Sequence, residues 1–189
     1  MSDSPPLREV PPATLASWLL LSLAWGGIYA ATLSPGAQWQ DAGEHIMRIV
    51  TGELVNPLGL ALTHPLHYWI GRLVLVPEVL EPGVAAPLVS AAGATATIAN
   101  VFGCVLTWTA CRLAAWFAAL SLAVAGTFWQ MATVAEVYSI STAFLAAEFW
   151  CLAAFARTRE PRWLLGMALA NGLGISNHML AALTTPVVA

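Results

Sequence analysis

The chain has 189 residues, of which 59% are hydrophobic and only 9% are charged, and its net charge is −3. A soluble domain carries about 25% charged residues, so the composition excludes a soluble protein and indicates an integral membrane protein. No basic patch indicates nucleic-acid binding, and the 3 cysteines lie in or beside apolar runs without the spacing of a disulfide framework.

The first predicted elements are a polar, proline-rich tail over residues 1–14 and an apolar run over residues 15–31. A run of about 17 residues is at the short end for a helix that crosses a membrane. A cleaved signal peptide is the alternative, because Ala30 and Ala31 are small residues of the type found at cleavage sites. We predict a cytoplasmic tail followed by one membrane domain over residues 15–189.

Residues 33–87 differ in composition from the rest of the chain, because they combine charged residues and histidines with several prolines. Two short helices are predicted in this loop, over residues 42–50 and 66–76. The second has an apolar face with Arg72 on its other side, and it is too short to cross a membrane alone. We therefore expect it to lie in the plane of the interface.

Four further membrane helices are predicted, over residues 90–109, 113–129 and 137–155 and from residue 163 to at least residue 177. The first of these is rich in Ala, Gly and Thr, so it can pack closely against its neighbours. A polar turn over residues 130–136 separates the second from the third. The sequence thus predicts an all-α polytopic bundle with about five spanning helices.

The arginines predict the orientation, because cytoplasmic loops are enriched in Lys and Arg. With five spans and a cytoplasmic N-terminus, one side of the membrane holds Arg8, Arg112, Arg157, Arg159 and Arg162. The loop over residues 33–87, the turn over residues 130–136 and the far end of the fifth helix then lie outside. The sequence thus predicts an integral membrane protein with its N-terminus in the cytoplasm and its polar face outside.

A short polar segment, Trp39-Gln40-Asp41-Ala42-Gly43-Glu44, follows the first membrane helix. Asp41 and Glu44 are three residues apart, so they would share a face at the start of a helix. Carboxylates near a membrane surface can act as a general base or bind a metal ion. The alternative is that Asp41 caps a short helix and Glu44 completes a capping box.

A second polar group in the same loop is His64-Pro65-Leu66-His67-Tyr68. Histidines can bind phosphate, bind a metal ion or transfer protons, and Pro65 favours an extended backbone just before the interfacial helix. The alternative is that both histidines only anchor the loop at the interface.

A third polar group combines Glu136 and Tyr138, at the turn, with Asn177 and His178 in the outer half of the fifth helix. His178 lies about 22 Å along that helix, and polar residues at such depth line a cavity or form hydrogen bonds between helices. Glu148 stands apart near the middle of the membrane, where it serves either a transport pathway or a pair within the bundle.

The polar segments occur in an order that resembles the bacterial protein O-mannosyltransferase-like membrane family, which was long of unknown function and has a eukaryotic member acting on plexin-type domains. The motifs that carry the resemblance are Trp39-Gln40-Asp41-Ala42-Gly43-Glu44, His64-Pro65-Leu66-His67-Tyr68, Gly71-Arg72-Leu73, Phe128-Trp129-Gln130, Ala135-Glu136-Val137-Tyr138-Ser139 and Gly172-Leu173-Gly174-Ile175-Ser176-Asn177-His178. They cover most of the chain.

The resemblance implies a multi-spanning glycosyltransferase of the GT-C type that inverts the anomeric carbon and lies in the bacterial inner membrane. It implies a polyprenyl-phosphate hexose donor, such as mannose, in the lipid bilayer, and a protein or glycan hydroxyl as acceptor. Carried over by position, Asp41 is the candidate base, and Glu44 positions the acceptor or tunes Asp41. His64, Arg72 and His178 are candidates for binding the donor phosphate.

Five more residues complete the expected substrate-binding set: His67, Tyr68, Glu136, Tyr138 and Asn177. No metal site is assigned, although a divalent cation stays open because Asp41 and Glu44 would serve as ligands as well. Two other classes remain: a transporter, which would use Glu148 and Asn100, and a non-catalytic membrane scaffold. The chain stops within apolar sequence, so an inactive, truncated transferase is a further alternative.

Overall fold

The computed structural model describes residues 13–36, 38 and 41–185. Trp39, Gln40, Arg8 and residues 186–189, which entered the sequence argument, lie outside this part. The described residues form eight α-helices: α1 (Ala13–Ala31), α2 (Asp41–Thr51), α3 (Pro65–Leu75), α4 (Pro82–Thr109), α5 (Arg112–Ala123), α6 (Gly126–Thr133), α7 (Tyr138–Thr158) and α8 (Pro161–Asn177). Two 3₁₀ turns, Leu60–Leu62 and Met179–Thr184, complete an all-α fold, as predicted.

Three of the described helices, α1, α4 and α7, are long and apolar enough to cross a membrane. A fourth span results if α5 and α6, which are bent by 64° at their junction, are counted as one. The protein is therefore an integral membrane protein. The predicted fifth span corresponds to α8, which has only 17 residues and is not among the three or four candidates.

The single helix predicted over residues 113–129 is wrong, because the chain leaves the helical conformation between α5 and α6. Ala125 is extended, with ψ at 125°, and this residue separates the two helices. The break leaves the carbonyl of Ala123 without a partner within its helix, and the Tyr29 hydroxyl donates to it at 2.8 Å. Since α6 continues to Thr133, the polar turn is confined to residues 134–137.

The central helix is α4, which contacts every other helix except α8. It begins at Pro82, eight residues before the predicted start, because a proline is well suited to the first turn of a helix. Its glycines allow close packing against α7: a Cβ at Gly93 would lie 2.7 Å from the backbone nitrogen of Ile140. Gly103 meets the Trp150 ring in the same way, so α4 and α7 run parallel.

The polar residues in the middle of the bundle bind neighbouring helices. Asn100 accepts a hydrogen bond from the Trp18 indole at 3.0 Å and donates to the carbonyl of Ala143 at 3.0 Å. Asn171 donates to the Glu148 carboxylate at 3.4 Å. The two residues that a transporter would use are thus engaged in contacts between helices.

The bundle has two chemically different ends. At one end, here called the arginine end, Arg157 of α7 donates to the carbonyl of Thr107 of α4 at 2.5 Å, and Arg112 starts α5. At the opposite end, here called the site end, the backbone nitrogen of Ser34 donates to Thr133 at 2.9 Å. The short helices α2 and α3 pack against the start of α4 at this site end.

Candidate active site

Helix α2 presents an acidic first turn at the site end. Its buried face, with Ala42, Ile46 and Ile49, packs into a small apolar cluster with Tyr68. Asp41, the first residue of the helix, is exposed. A carboxylate in the first turn is favourable, because the amino end of a helix carries partial positive charge.

The most highly connected side chain of the site is Arg48, which is only 3% exposed. Its guanidinium donates to four backbone carbonyls of the loop between α2 and α3: Glu53 at 3.3 Å, Leu62 at 3.0 Å, Thr63 at 2.8 Å, and Leu54. These contacts hold both ends of the loop against α2.

Glu44 takes part in the same network. The amide of Asn56 donates to its carboxylate, and the Arg48 guanidinium lies 3.9 Å from it. Asn56 also donates to the carbonyl of Leu62 at 3.3 Å. Glu44 is therefore held by the loop, whereas Asp41 is exposed.

All four histidines of the chain form one continuous series of ring contacts. The centroid of His45 lies 5.1 Å from that of His67 and 5.5 Å from that of His64. His64 stacks on His178, with centroids 4.9 Å apart and planes at 28°. His178 in turn lies 5.6 Å from the Tyr138 ring. Side chains from α2, α3 and the ends of α7 and α8 thus meet at one place.

Hydrogen bonds fix the tautomers of two of these rings. His64 has a left-handed backbone with φ at 49° just before Pro65, and its Nδ1 lies 2.9 Å from the carbonyl of Asn177. A carbonyl only accepts, so Nδ1 of His64 carries a proton. Nδ1 of His178 accepts from the backbone nitrogen of Leu180 at 3.2 Å, so the neutral His178 ring carries its proton on Nε2.

Burial keeps the histidines neutral. Desolvation, together with the charges of neighbouring histidines and Arg48, lowers the pKa of His45 to about 4 and that of His67 to about 3. Burial also lowers the pKa of His64 and of His178 from 6.5. At neutral pH the cluster offers an anion hydrogen bonds rather than positive charge.

Glu136 brings a second carboxylate close to Asp41. Burial and the negative charge of Asp41 together raise the pKa of Glu136 from 4.5 to about 6, against a hydrogen bond from the Val137 backbone. Ser90 of α4 holds this turn, since its hydroxyl donates to the Glu136 carbonyl and accepts from its backbone nitrogen, both at 2.8 Å. Among the described residues, Oε2 of Glu136 is buried without a hydrogen-bond partner.

Asn177 fastens the end of α8 to the start of α7. Its amide donates to the carbonyl of Val137 at 2.9 Å and to the Ser141 hydroxyl at 2.8 Å. Its side-chain oxygen is buried and has no partner within the described part of the chain. Such an acceptor is available to a hydroxyl group of a ligand.

Residues 41–189 match the family model described as the N-terminal domain of the protein O-mannosyl-transferase TMEM260. The chain belongs to this family. No curated protein and no solved structure matches it significantly. The matched region begins at Asp41 and contains every residue of the site described above, which supports a glycosyltransferase-like role for the O-mannosyl-transferase domain.

Most of the residues predicted for the O-mannosyl-transferase site lie together. Those that meet at the site end are Asp41, His64, His67, Glu136, Tyr138, Asn177 and His178. Glu44 borders the same region but is bound by the loop. Whether any of them acts on substrate stays a prediction.

Two predicted residues, Arg72 and Tyr68, extend toward the other end of α2. Tyr68 also lines a small pocket with three of the histidines, so it borders the site. Arg72 donates to the carbonyls of Ile49 at 2.9 Å and Val50 at 3.4 Å, which is about 12 Å along the helix from Asp41. The hydroxyl of Tyr68 lies 4.0 Å from where a Cβ of Gly52 would be. Arg72 therefore donates hydrogen bonds to free carbonyls at the end of α2, at a distance from the histidines.

The sequence argument missed His45 and Arg48. A signal existed for both, because His45 follows Asp41 by four residues and Arg48 follows Glu44 by four, which places each pair on one helix face. In the part of the chain that the structure describes, no group of three or more His, Cys, Asp or Glu side chains is arranged to hold a metal ion.

Proposed function

We propose that this O-mannosyl-transferase family domain is a membrane glycosyltransferase of the inverting GT-C type. It moves a hexose, with mannose favoured by the family description, from a polyprenyl phosphate to a hydroxyl of a protein or glycan outside the membrane. The observation that carries the proposal is the position of Asp41, an exposed carboxylate whose charge acts on His45, His64 and Glu136 at one end of a membrane bundle.

In the proposed step, Asp41 accepts the proton of the acceptor hydroxyl while that oxygen attacks the anomeric carbon. The bond from the anomeric carbon to the phosphate oxygen breaks, and the polyprenyl phosphate leaves with the electron pair. Attack and departure on opposite faces of the sugar invert its configuration. Glu136 lies near enough for the charge of Asp41 to raise its pKa, so an ionised Asp41 favours the protonated form of Glu136.

The histidines suit a phosphate in different ways. Neutral His178 can donate from Nε2 to a phosphate oxygen, because its Nδ1 accepts from Leu180. His64 donates from Nδ1 to Asn177, so its Nε2 binds an anion only after protonation. We therefore assign the donor phosphate to His178 first, with Arg72 too far along α2 to share it.

The arginines support the outward orientation of this site. Arg112, Arg157, Arg159 and Arg162 occur where α4 passes to α5 and α7 passes to α8, which is the end opposite Asp41. Since Lys and Arg favour the cytoplasmic side, the site end faces outward. A polyprenyl-phosphate donor would place its phosphate at that surface while its chain stays in the bilayer.

The test replaces Asp41 by Asn, which keeps the shape of the side chain and removes the base. Membranes containing the full chain are incubated with labelled polyprenyl-phosphate mannose and acceptor, and transfer is measured. We expect Asp41→Asn to lower the rate by a factor of about 100 to 10,000, the range for loss of a general base. The matched control is Glu81→Gln, an exposed carboxylate at the start of α4 without a side-chain cap hydrogen bond, which should retain the rate.

Retained transfer in Asp41→Asn would remove this residue from the mechanism. A wild-type chain that transfers no sugar from any polyprenyl phosphate, although it is inserted and folded, would contradict the proposed activity. The folding of each purified variant is checked by its size-exclusion elution profile and by its α-helical circular dichroism signal.

A further inference from the structure

Three cavities follow one another along α7, and the first of them adjoins the candidate site. The first, of about 290 Å³, is lined at the site end by Tyr138 and His178. The second, of about 440 Å³, shares Thr142 and Leu145 with the first. Because they share these walls, the two cavities adjoin.

The third cavity continues toward the arginine end. It has a volume of about 340 Å³, shares Trp108 and Phe149 with the second cavity, and ends beside Arg157. The α7 residues that line the three cavities recur every three or four positions, which is one face of a helix. We call the three together the α7 furrow.

The α7 furrow has the dimensions of a path through a bilayer. From Tyr138 to Arg157 it extends about 28 Å at 1.5 Å per residue, close to the ~30 Å thickness of the hydrocarbon core. Its walls are mostly apolar, and the polar groups between its ends are a few Ser and Thr hydroxyls and Glu148, whose carboxylate accepts a hydrogen bond from Asn171. Tyr138 and His178 line the site end, and Arg157 lines the other end. These walls suit an occupant that is apolar along most of its length and polar at the site end.

On the basis of the proposed function, we propose that the α7 furrow binds the hydrocarbon chain of the lipid-linked donor and thereby delivers its phosphate to Tyr138 and His178. The continuity of the furrow with these two residues carries the proposal, because a chain lying in the furrow has its head group at the histidine series.

A rival location exists on the other side of α7. On that side, a separate cavity of about 360 Å³ is lined by Ile70 and Val74 of α3. That cavity includes none of the four histidines and neither Asp41 nor Glu136, so a chain bound there would not connect to the site. The two locations can be separated with neighbouring residues of α7, since Ala146 lines the furrow and Ala147 lines the α3-side cavity.

The test compares Ala146→Phe with Ala147→Phe, which add the same ring on either side of α7. Transfer is measured with donors that carry a long or a short polyprenyl chain. We expect Ala146→Phe to raise KM for the long-chain donor by about tenfold, in the range for a perturbed apolar contact, with little change for the short-chain donor. Ala147→Phe should leave both values near those of the wild type.

The opposite pattern, with Ala147→Phe affecting the long-chain donor, would assign the chain to the α3-side cavity and overturn the proposal. Equal effects on both donors would also overturn it, because they indicate disturbed packing rather than loss of chain binding.

A binding measurement that needs no catalysis accompanies the kinetics. A polyprenyl phosphate with a photoreactive group in its chain is cross-linked to the wild-type protein and to Asp41→Asn, and the labelled peptides are mapped. We expect label on α7 and on residues 180–184 in both proteins. Label on α3, or equal labelling by a photoreactive phosphatidylcholine, would overturn the furrow proposal, whereas failure of Asp41→Asn to lose transfer concerns only the proposed base.

Discussion

Among single side chains, Glu136 lies where its ionised form is unfavourable. Its carboxylate is partly buried, lies near the charge of Asp41, and has one oxygen without a partner among the described residues. Because burial raises its pKa to about 6, the folded protein favours the protonated form more than the unfolded chain does. Glu136 therefore contributes stability below its unfolded pKa of 4.5, and this contribution is lost as the pH rises through about 6.

Replacing Glu136 by Gln removes this dependence. Relative to the wild type, the variant should gain about 1 kcal/mol of unfolding free energy between acidic and alkaline pH, because only the wild type must ionise a partly buried carboxylate and solvent screens part of that cost. Chemical denaturation in detergent at about pH 4 and about pH 8 measures the difference. In an Asp41→Asn background the gain should be smaller, and a difference that does not vary with pH would contradict the assignment.

The order of the helices along the chain was enough to locate much of the site, but not to predict the hydrogen bonds within it. The polar segments of Asp41, Glu136 and His178 could be placed at one end of the bundle, because helix order alone puts them there. The roles of Arg48 and Arg72 could not be predicted, since both depend on which carbonyls the intervening loop presents. Loop conformation is set by tertiary contacts, and the left-handed backbone of His64 is an example.

At the scale of elements, α4 and α7 pack so closely that their contact affects the stability of the bundle. At Gly93 an added Cβ would lie within 3 Å of three atoms of Ile140, two of them backbone. Backbone cannot move aside without separating the two helices. The parallel pair α4 and α7 therefore depends on a residue without a side chain at this position.

Gly93→Ala should destabilise the protein by about 1–3 kcal/mol, the usual cost of overpacking. The matched control is Gly172→Ala in α8, where an added Cβ meets no described atom within 4 Å and the better helix former should stabilise slightly. Thermal unfolding in detergent compares the two variants. Equal effects of both changes would show that the close approach at Gly93 does not limit packing.

Helices were the easiest elements to predict, because long apolar runs define α1, α4 and α7 directly. The bend between α5 and α6 was missed, since neither a proline nor a strongly polar residue marks it. Its cause is tertiary: the Tyr29 hydroxyl satisfies the carbonyl that the break at Ala123 leaves free. Helix α8 ends at Asn177, the minimum predicted, and residues 179–184 continue as a 3₁₀ turn bound to Asn171.

For the whole molecule, the separation of two ends makes the orientation testable. Cys111 is exposed and lies between α4 and α5 at the arginine end, whereas Cys104 and Cys151 are half-buried within spans. Glu53 is exposed in the loop at the site end. The two ends thus offer one native and one engineered position for chemical labelling.

We expect a membrane-impermeant maleimide to label Cys111 only from the cytoplasmic side, in inverted vesicles. In a Cys111→Ser background, Glu53→Cys should be labelled only in vesicles of the native orientation. Labelling of both positions from the same side would contradict the separation of the two ends, and a reversed pattern would place the site end in the cytoplasm.

The hydrogen bond between His64 and Asn177 joins residues 113 positions apart. During synthesis, α2 and α3 leave the ribosome long before α8 can reach them. The hydrogen bond of His64 and its ring stack with His178 can therefore form only after α8 has been made. A nascent chain that has not yet reached this helix consequently lacks an assembled histidine series.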